Sequence, residues 1–346
     1  MPASAARIVD PAAATRRLLR HYDANARPLP WRSPPGEPRE DPYKVWLSEV
    51  MLQQTTVATV RPRFRRFLER WPSVEVLAAA DEAEVLKEWA GLGYYARARN
   101  LHACARTVAA RGGFPSTEAE LRQLPGLGAY TAGAIAAIAF GQRAAAIDTN
   151  VERVIARLAA NPRPVADARA HIRAEVEAML PADRPGDFAQ AMMDLGATIC
   201  RPRNPDCPAC PLSPDCAAFA SGTPEAFPAP KLKRDRPHRH GIAWWIQRSD
   251  SVWLIRRPAR GLLGGMAALP GSEWSDTPPS DGPPPLARIE WGFTHFTMTL
   301  AITPRAEAPA GDGWWQPIAS LDDAGLPSLY AKAVAAVLAS RVADAA

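Results

Sequence analysis

The chain has no apolar stretch long enough to cross a bilayer. The run at residues 132–140 is about half of the ~20 residues that a membrane helix needs. Residues 1–20 also lack the continuous apolar core of a secretory leader, so the expectation is a soluble, cytoplasmic, nucleoid-associated protein. Cysteine is scarce as well. Only five occur in 346 residues, and four of them fall within residues 200–216, which favours metal ligation in a reducing compartment over a disulfide framework. An apolar content of 47% excludes general disorder, and the length suffices for two domains with separate cores. The net charge is +5 and the pI about 9.1. Most of that excess is arginine, whose fork suits bidentate phosphate contact, so nucleic acid is a reasonable partner; proteins that bind none also carry such an excess.

Residues 124–152, LPGLGAYTAGAIAAIAFGQRAAAIDTNVE, organise the rest. Pro125, Gly126 and Gly128 make a tight turn after a helical run ending at Leu124, since glycine reaches positive φ freely and proline fixes its own. A small, apolar and therefore buried helix follows. Its first backbone N–H groups lack intrahelical partners and offer a seat for a phosphate. Val151, Val154, Ile155 and Leu158 recur at i, i+3, i+4, i+7 and mark the next helix. Thr149 and Glu152 are spaced as a capping box, which would free Asp148 to face a cleft near the positive helix end. On local sequence alone, Asp148 as the cap is the commoner arrangement.

Upstream, a helix spans residues 12–23, and Leu29, Pro30, Trp31 and Arg32 follow in a proline-rich loop. Asp41 and Pro42 are a cap and a first helical residue. In the helix they begin, Val45, Trp46, Leu47, Val50, Met51 and Leu52 nearly surround Glu49. Such surroundings remove solvent from a carboxyl and raise its pKa, the condition for a general acid near neutral pH. An exposed structural glutamate is the alternative. The helix breaks at Gln54. Residues 91–101, GLGYYARARNL, interleave tyrosine with arginine, which fits stacking plus phosphate contact or an ordinary amphipathic turn. His102 and Cys104 read as structural. Residues 188–200 are helical, with Gln190 and Asp194 on one face. Cys200, Cys207, Cys210 and Cys216 are separated by six, two and five residues; by spacing alone they can hold zinc or an iron–sulfur cluster. Arg201 and Arg203 lie in that loop. Residues 228–240 form a proline-rich basic stretch with Lys231, Lys233, Arg234, Arg236 and Arg239, either a DNA-tracking linker or a solvated tether. Beyond it the texture turns strand-like in GIAWWIQ, SVWLIRR and HFTMTLAI, with a closing helix near residues 332–338.

The turn, the buried helix and its aspartate, the run SEVMLQQT and the C-x6-C-x2-C-x5-C spacing together resemble the helix-hairpin-helix DNA glycosylase superfamily, and within it adenine DNA glycosylases of the MutY type. The resemblance implies a mostly α helix-hairpin-helix glycosylase domain at residues 1–222, with an iron–sulfur loop at 200–216. A linker at 223–240 and an α+β Nudix-like domain at 241–346 complete it. In that family Glu49 is the catalytic acid, Asp148 stabilises the cationic sugar or bonds to it transiently, and Tyr130 and Asn150 complete the pocket. Trp31 and Arg32 lie over the extruded base, Gln190 against it, and Leu52 and Gln54 enter the duplex. Tyr94 is a wedge beside 8-oxoguanine, while Gly126 and Gly128 shape the DNA-binding hairpin. Cys200, Cys207, Cys210 and Cys216 hold a [4Fe–4S] cluster. The implied partner is double-stranded DNA with A:8-oxoguanine or A:G mispairs, bound by a monomer and away from membranes.

The carboxy-terminal half resembles a Nudix domain in RRPARGLLGGMAALPG, yet no Arg-Glu-x-x-Glu-Glu run follows Gly271 to hold magnesium. Recognition is therefore expected there. The Phe-Ser-His loop of MutY enzymes corresponds to Phe293, Thr294 and His295, with threonine replacing serine; Thr149 likewise replaces a glycine usual in the family. Two rivals remain: a bifunctional glycosylase and lyase like endonuclease III, and a non-catalytic DNA-binding protein. Bifunctional relatives carry a lysine where this chain has Tyr130, and no lysine occurs in residues 121–150.

Overall fold

The computed structural model describes residue 8 and residues 10–229, 236–258, 261–279 and 283–344. Contacts divide the chain into two compact units, Met1–Ala80 with Asn100–Leu232, and Asp81–Arg99 with Lys233–Ala346. Lys231, Lys233 and Arg234 of the expected basic linker lie outside the described residues.

Helices run in the order α1 (Pro11–Asn25), α2 (Pro42–Leu52), α3 (Val57–Arg70), α4 (Val74–Ala79), α5 (Glu82–Glu88), α6 (Tyr95–Arg111), α7 (Glu118–Leu121), α8 (Ala129–Ile138), α9 (Thr149–Leu158), α10 (Val165–Met179), α11 (Pro185–Thr198) and α12 (Ala217–Ala220). Several starts follow from the sequence. The Asp41 carboxylate accepts from the Tyr43 amide at 2.8 Å, with Pro42 in the first turn where its missing N–H costs nothing. In α8, every residue from Thr131 to Ile138 is buried. Close approach makes this possible. A Cβ on Gly133 would stand 2.8 Å from the Ala145 carbonyl, and one on Gly186 the same distance from that of Ala137. Leu18, Ile155, Ile172, Val176, Phe188 and Leu195 from α1, α9, α10 and α11 share one core, against which Cys200, Cys210 and Cys216 rest. Full burial of each such side chain contributes about 1.5–3 kcal/mol.

The hairpin differs from expectation in detail. The run before it ends at Leu121, and Arg122 and Gln123 form a turn before Leu124 enters the core. Gly126 has φ of +76°, as the turn requires, whereas Gly128 has φ of −84° and caps α8 without a side-chain bond.

The second unit carries β1 (His238–Trp245), β2 (Gln247–Arg248), β3 (Ser251–Arg256), β4 (Ala267–Ala268), β5 (Ala287–Gly292), β6 (Thr297–Pro304), β7 (Gly313–Pro317) and α13 (Ser328–Asp344). One sheet has the order β1-β6-β5, with β1 parallel and β5 antiparallel to β6; the other has the order β2-β3-β4, with β7 also paired to β3. Alternation of buried and less buried residues in β1 and β3 matches a sheet with one face on a core, whereas Leu300–Thr303 of β6 are buried without a break. That core joins Trp245, Leu254, Leu300 and Ile302 to Leu329, Ala333 and Val337 of α13. The linker expected to run to residue 240 ends earlier. β1 already begins at His238, and the Arg239 guanidinium sits 4.9 Å from the centre of the Phe296 ring. After Gly271 the chain runs extended, bridging back to β1 at Gly271 and Ser275.

Candidate active site

In the first unit α2 and α8 pack together and open onto a cavity of about 1200 Å³. Ten of the candidate residues line it: Trp31, Arg32, Glu49, Leu52, Gln54, Gly126, Gly128, Tyr130, Asp148 and Asn150. They come from four separate parts of the chain, brought together by the α8 core and by the glycine approaches described above.

Glu49 is 6% exposed. The Tyr130 hydroxyl donates to its Oε2 at 2.6 Å and also lies 3.1 Å from Met193 Sδ. Burial raises the Glu49 pKa above the usual carboxylate range; the Tyr130 bond and the Arg32 charge oppose that rise, and Asp148 adds to it. Burial, reinforced by Glu49 and Asp148, also pushes the Tyr130 phenol well above its ordinary value, so it stays a neutral donor.

Asp148 is the cap of α9, which corrects the expected Thr149–Glu152 box. Its Oδ1 accepts from the Val151 amide at 2.8 Å, while Thr149 is already the first helical residue. The extended φ of −94° and ψ of −178° at Asp148 aim its carboxylate at the free amides, which leaves Thr149 no capping role. The second oxygen is not lost to the site. Asp148 Oδ2 accepts from Asn150 Nδ2 at 2.8 Å, and the carboxylate still lines the cavity at the positive end of α9.

Gln54 has φ of +56°, so the break after α2 turns its side chain away from the helix axis into solvent. Gln190 is buried but lines a different cavity, of about 430 Å³, with Arg39 and Gly186. Tyr94 belongs to the second unit, is 54% exposed and has φ of +48°. Phe293, Thr294 and His295 form the tip of the β5–β6 hairpin, closed by the Phe293 amide on the Phe296 carbonyl at 2.9 Å. Phe293 turns inward, stacked on Trp274 with ring centres 5.7 Å apart, while Thr294 and His295 face solvent. The Tyr94 and Thr294 hydroxyls approach to 3.5 Å.

Two side chains, Arg153 and Arg157, and the ion pairs of Asp194 lie beyond what the sequence shows. Arg153 Nη2 donates to Asn150 Oδ1 and to the Gly196 carbonyl, both at 2.8 Å, and its Nε to the Cys200 carbonyl at 2.9 Å. Arg157, 2% exposed, donates to the Arg201, Pro202 and Phe227 carbonyls and lies 3.3 Å from Cys200 Sγ. The i, i+4 spacing of these arginines on α9 was the available signal. Asp194 is paired with Arg32 at 2.7 Å and Arg27 at 3.3 Å, contacts that span more than 160 residues and leave no local trace.

The four clustered cysteines line one small cavity with Arg157 and Phe219. Burial raises the Cys207 and Cys216 thiols and pushes Cys210 up to about 12, so a cation is needed to hold them as thiolates. Among the described residues, no three His, Cys, Asp or Glu side chains are close enough to share a single metal ion.

Residues 47–180 match the HhH-GPD superfamily of base excision DNA repair proteins, and residues 242–336 match the NUDIX domain. An adenine DNA glycosylase from Mycolicibacterium smegmatis is 41% identical over 222 residues, 63% of this chain and 73% of that protein. This chain belongs to the adenine DNA glycosylase family. The human adenine DNA glycosylase is 33% identical over 381 residues, covering 86% of this chain and 69% of its own length. The Arabidopsis thaliana one is 37% identical over 73% of this chain, which spans only 46% of that protein. Among solved structures, a thermostable thymine-DNA glycosylase superposes with a TM-score of 0.53 at 29% identity, over 60% of this chain and 95% of that one. An endonuclease III–DNA covalent intermediate, at TM-score 0.50 and 24% identity, shares the fold. Among the described residues no helix is long and apolar enough to cross a membrane.

Proposed function

We propose that the protein hydrolyses the N-glycosidic bond of adenine in double-stranded DNA, and that its substrate is adenine opposite 8-oxoguanine or guanine. One observation carries the reading: Glu49 is buried, bonded to the Tyr130 phenol and placed on the same cavity as the Asp148 carboxylate. A raised acid and a second carboxylate are the two groups that glycoside hydrolysis needs. The adenine leaves the base stack at a cost of a few kcal/mol and enters the cavity. Glu49 gives its proton to a ring nitrogen as the C1′–N9 bond breaks and its electron pair stays on the base. Asp148 faces the positive charge that develops on the sugar, and water adds to C1′ with loss of a proton. Asn150, bonded to Asp148, fixes the angle of that carboxylate. Trp31, Arg32, Leu52 and Gln54 line the same cavity; in this reading the first two meet the base and the last two the duplex, and the start of α8 beyond Gly126 and Gly128, which has no side-chain cap, receives a phosphate.

Cys200, Cys207, Cys210 and Cys216 would hold a [4Fe–4S] cluster. Four thiols lining one cavity suit it. When bound it supplies four iron–thiolate bonds that cross-link the loop carrying Arg201 and Arg203. Residues 1–222 carry the catalytic groups in this reading, and Thr294 and His295 of residues 241–346, with Tyr94 of the same compact unit, read the opposite base.

Base release from an A:8-oxoguanine duplex, set beside a thymine glycol duplex, tests the activity. The expected result is release from the first alone, abolished in Glu49→Gln with duplex binding retained. Turnover of Glu49→Gln within tenfold of the parent removes Glu49 from the role of acid.

A further inference from the structure

Arg32 presents a difficulty for the proposed chemistry. It lines the same cavity as Glu49 and its charge opposes protonation of that carboxyl. A guanidinium in a poorly solvated wall acts over several ångströms with little screening, and left alone it favours a carboxylate where the reaction needs an acid. Arg32 is not left alone. Its Nη1 donates to Asp194 Oδ2 at 2.7 Å, and the two side chains are only 10% and 9% exposed. Arg27 adds a second guanidinium, with its Nη1 at 3.3 Å from Asp194 Oδ1 and its backbone N–H at 3.4 Å from Oδ2. Two cations therefore share one carboxylate.

We propose that Asp194 is a positioning residue for adenine release: by pairing with Arg32 it holds that cation's charge and direction away from Glu49, and so lets Glu49 keep its proton until the base departs. The inference rests on the reading of Glu49 as the acid. The groups facing Glu49 are Tyr130 from α8, Arg32 from the loop before α2, and Asp148 at the start of α9. Those facing the Asp194 pair are Arg27 from the same loop and Tyr22 from α1, whose phenol burial pushes up to about 12 and keeps neutral; Asp187 and Arg184 also act on Tyr22 but are paired with each other at 2.8 Å. None of these can replace the negative charge of Asp194 beside Arg32, since Asp148 is engaged by Val151 and Asn150.

The sign of the effect follows. Asp194→Asn removes a nearby negative charge and exposes the Arg32 cation; both changes favour ionised Glu49. Its pKa falls, and an acid catalyst is lost at a lower pH. The test is the pH profile of single-turnover adenine release by the full-length protein on the A:8-oxoguanine duplex, compared with Asp194→Asn, Asp194→Glu and the double variant Arg32→Gln/Asp194→Asn. We expect Asp194→Asn to move the alkaline limb down by about one pH unit, a loss of about tenfold above the limb, while rates on the acidic plateau stay within about threefold. Asp194→Glu should return the limb to its original place, and the double variant should return it most of the way, since the cation acting on Glu49 is gone and only Arg27 is left without its carboxylate. A ¹³C titration of the Glu49 carboxyl in the DNA-free chain, assigned with Glu49→Gln, reads the same change without turnover and decides the matter if Asp194→Asn is inactive. An equal loss at every pH with an unmoved Glu49 titration would mean that Asp194 merely braces the loop, and an upward movement would overturn the proposal outright. If the parent protein releases no adenine, the reading of the activity fails, while the titration still tests whether Asp194 governs Glu49.

Discussion

The Tyr130 hydroxyl donates to Glu49 Oε2 at 2.6 Å, so the carboxyl proposed as the acid is in direct contact with a buried phenol. A donor of this kind favours the charged carboxylate and moderates the rise that burial causes. Tyr130→Phe should therefore raise the Glu49 pKa further and move the alkaline limb of adenine release to higher pH. Each tenfold change in that ionisation equilibrium corresponds to about 1.4 kcal/mol of lost preference for the carboxylate. A limb that moves to lower pH in the pH–rate profile contradicts this account of the contact.

Stability carries the same signature. A carboxyl raised by burial binds its proton more tightly folded than unfolded, so its stabilising share is present below the unfolded pKa and is lost as pH rises through the folded one. Glu49→Gln should abolish that decline and make the protein more stable than the parent at pH 8, by about 1–3 kcal/mol from a buried charge no longer forced to ionise. Urea unfolding of both forms at pH 5 and pH 8 checks it; an equal difference at both pH values excludes Glu49 as the source.

Much of this site was legible because local rules and function agree along short segments. Asp41 and Pro42 announce α2, and the apolar residues around Glu49 announce its burial. The cap of α9 was misread because Thr149 with Glu152 fits a capping box as well as Asp148 fits a simple cap. Only the backbone at residue 148, already extended where the helix begins, decides between them. Asp194 was placed on a helix face but not on Arg32, since an ion pair between a loop and a helix 162 residues apart has no periodic trace. In the second unit β5 and β7 went unnoticed. Ala287–Gly292 alternates charged with apolar residues over only six positions, and Gly313–Pro317 has half-buried tryptophans where a strand pattern needs clear alternation.

Gly196 supports the site from behind. A Cβ there would lie 2.5 Å from Asn150 Cβ and 3.2 Å from its Cα, so α11 and the start of α9 must separate to admit one. Gly196→Ala should destabilise the protein by about 1–3 kcal/mol, as expected of overpacking, and should lower adenine release more than duplex binding by tilting Asn150 and Asp148. Unchanged unfolding midpoint and release rate would show that the contact gives way freely.

The cysteine loop gives a direct spectroscopic test. If Cys200, Cys207, Cys210 and Cys216 hold an iron–sulfur cluster, purified protein should be brown, with broad absorbance at about 400 nm and iron and sulfide in near-equal amounts. Cys207→Ala should lose that colour and weaken DNA binding, because Arg201 and Arg203 are then no longer fixed. A colourless preparation with one zinc per chain contradicts the assignment.

The last prediction concerns the base opposite adenine. Thr294 and His295 stand exposed at the tip of the β5–β6 hairpin while Phe293 anchors it on Trp274, so the loop presents a hydroxyl and an imidazole on a braced support. Tyr94 belongs to the same compact unit and brings its hydroxyl to 3.5 Å from that of Thr294. A hydroxyl and an imidazole can bond a base edge, and a contact present for 8-oxoguanine but absent for guanine is worth on the order of 1–3 kcal/mol. Changing Thr294 and His295 together to alanine should therefore reduce the preference for A:8-oxoguanine over A:G by about five- to a hundredfold while leaving A:G release nearly intact. Tyr94→Ala should weaken both duplexes, through loss of base stacking, as well as narrowing the preference. Single-turnover rates on the two duplexes give the answer, and an equal loss on both from the double alanine variant would reduce the hairpin tip to general scaffolding.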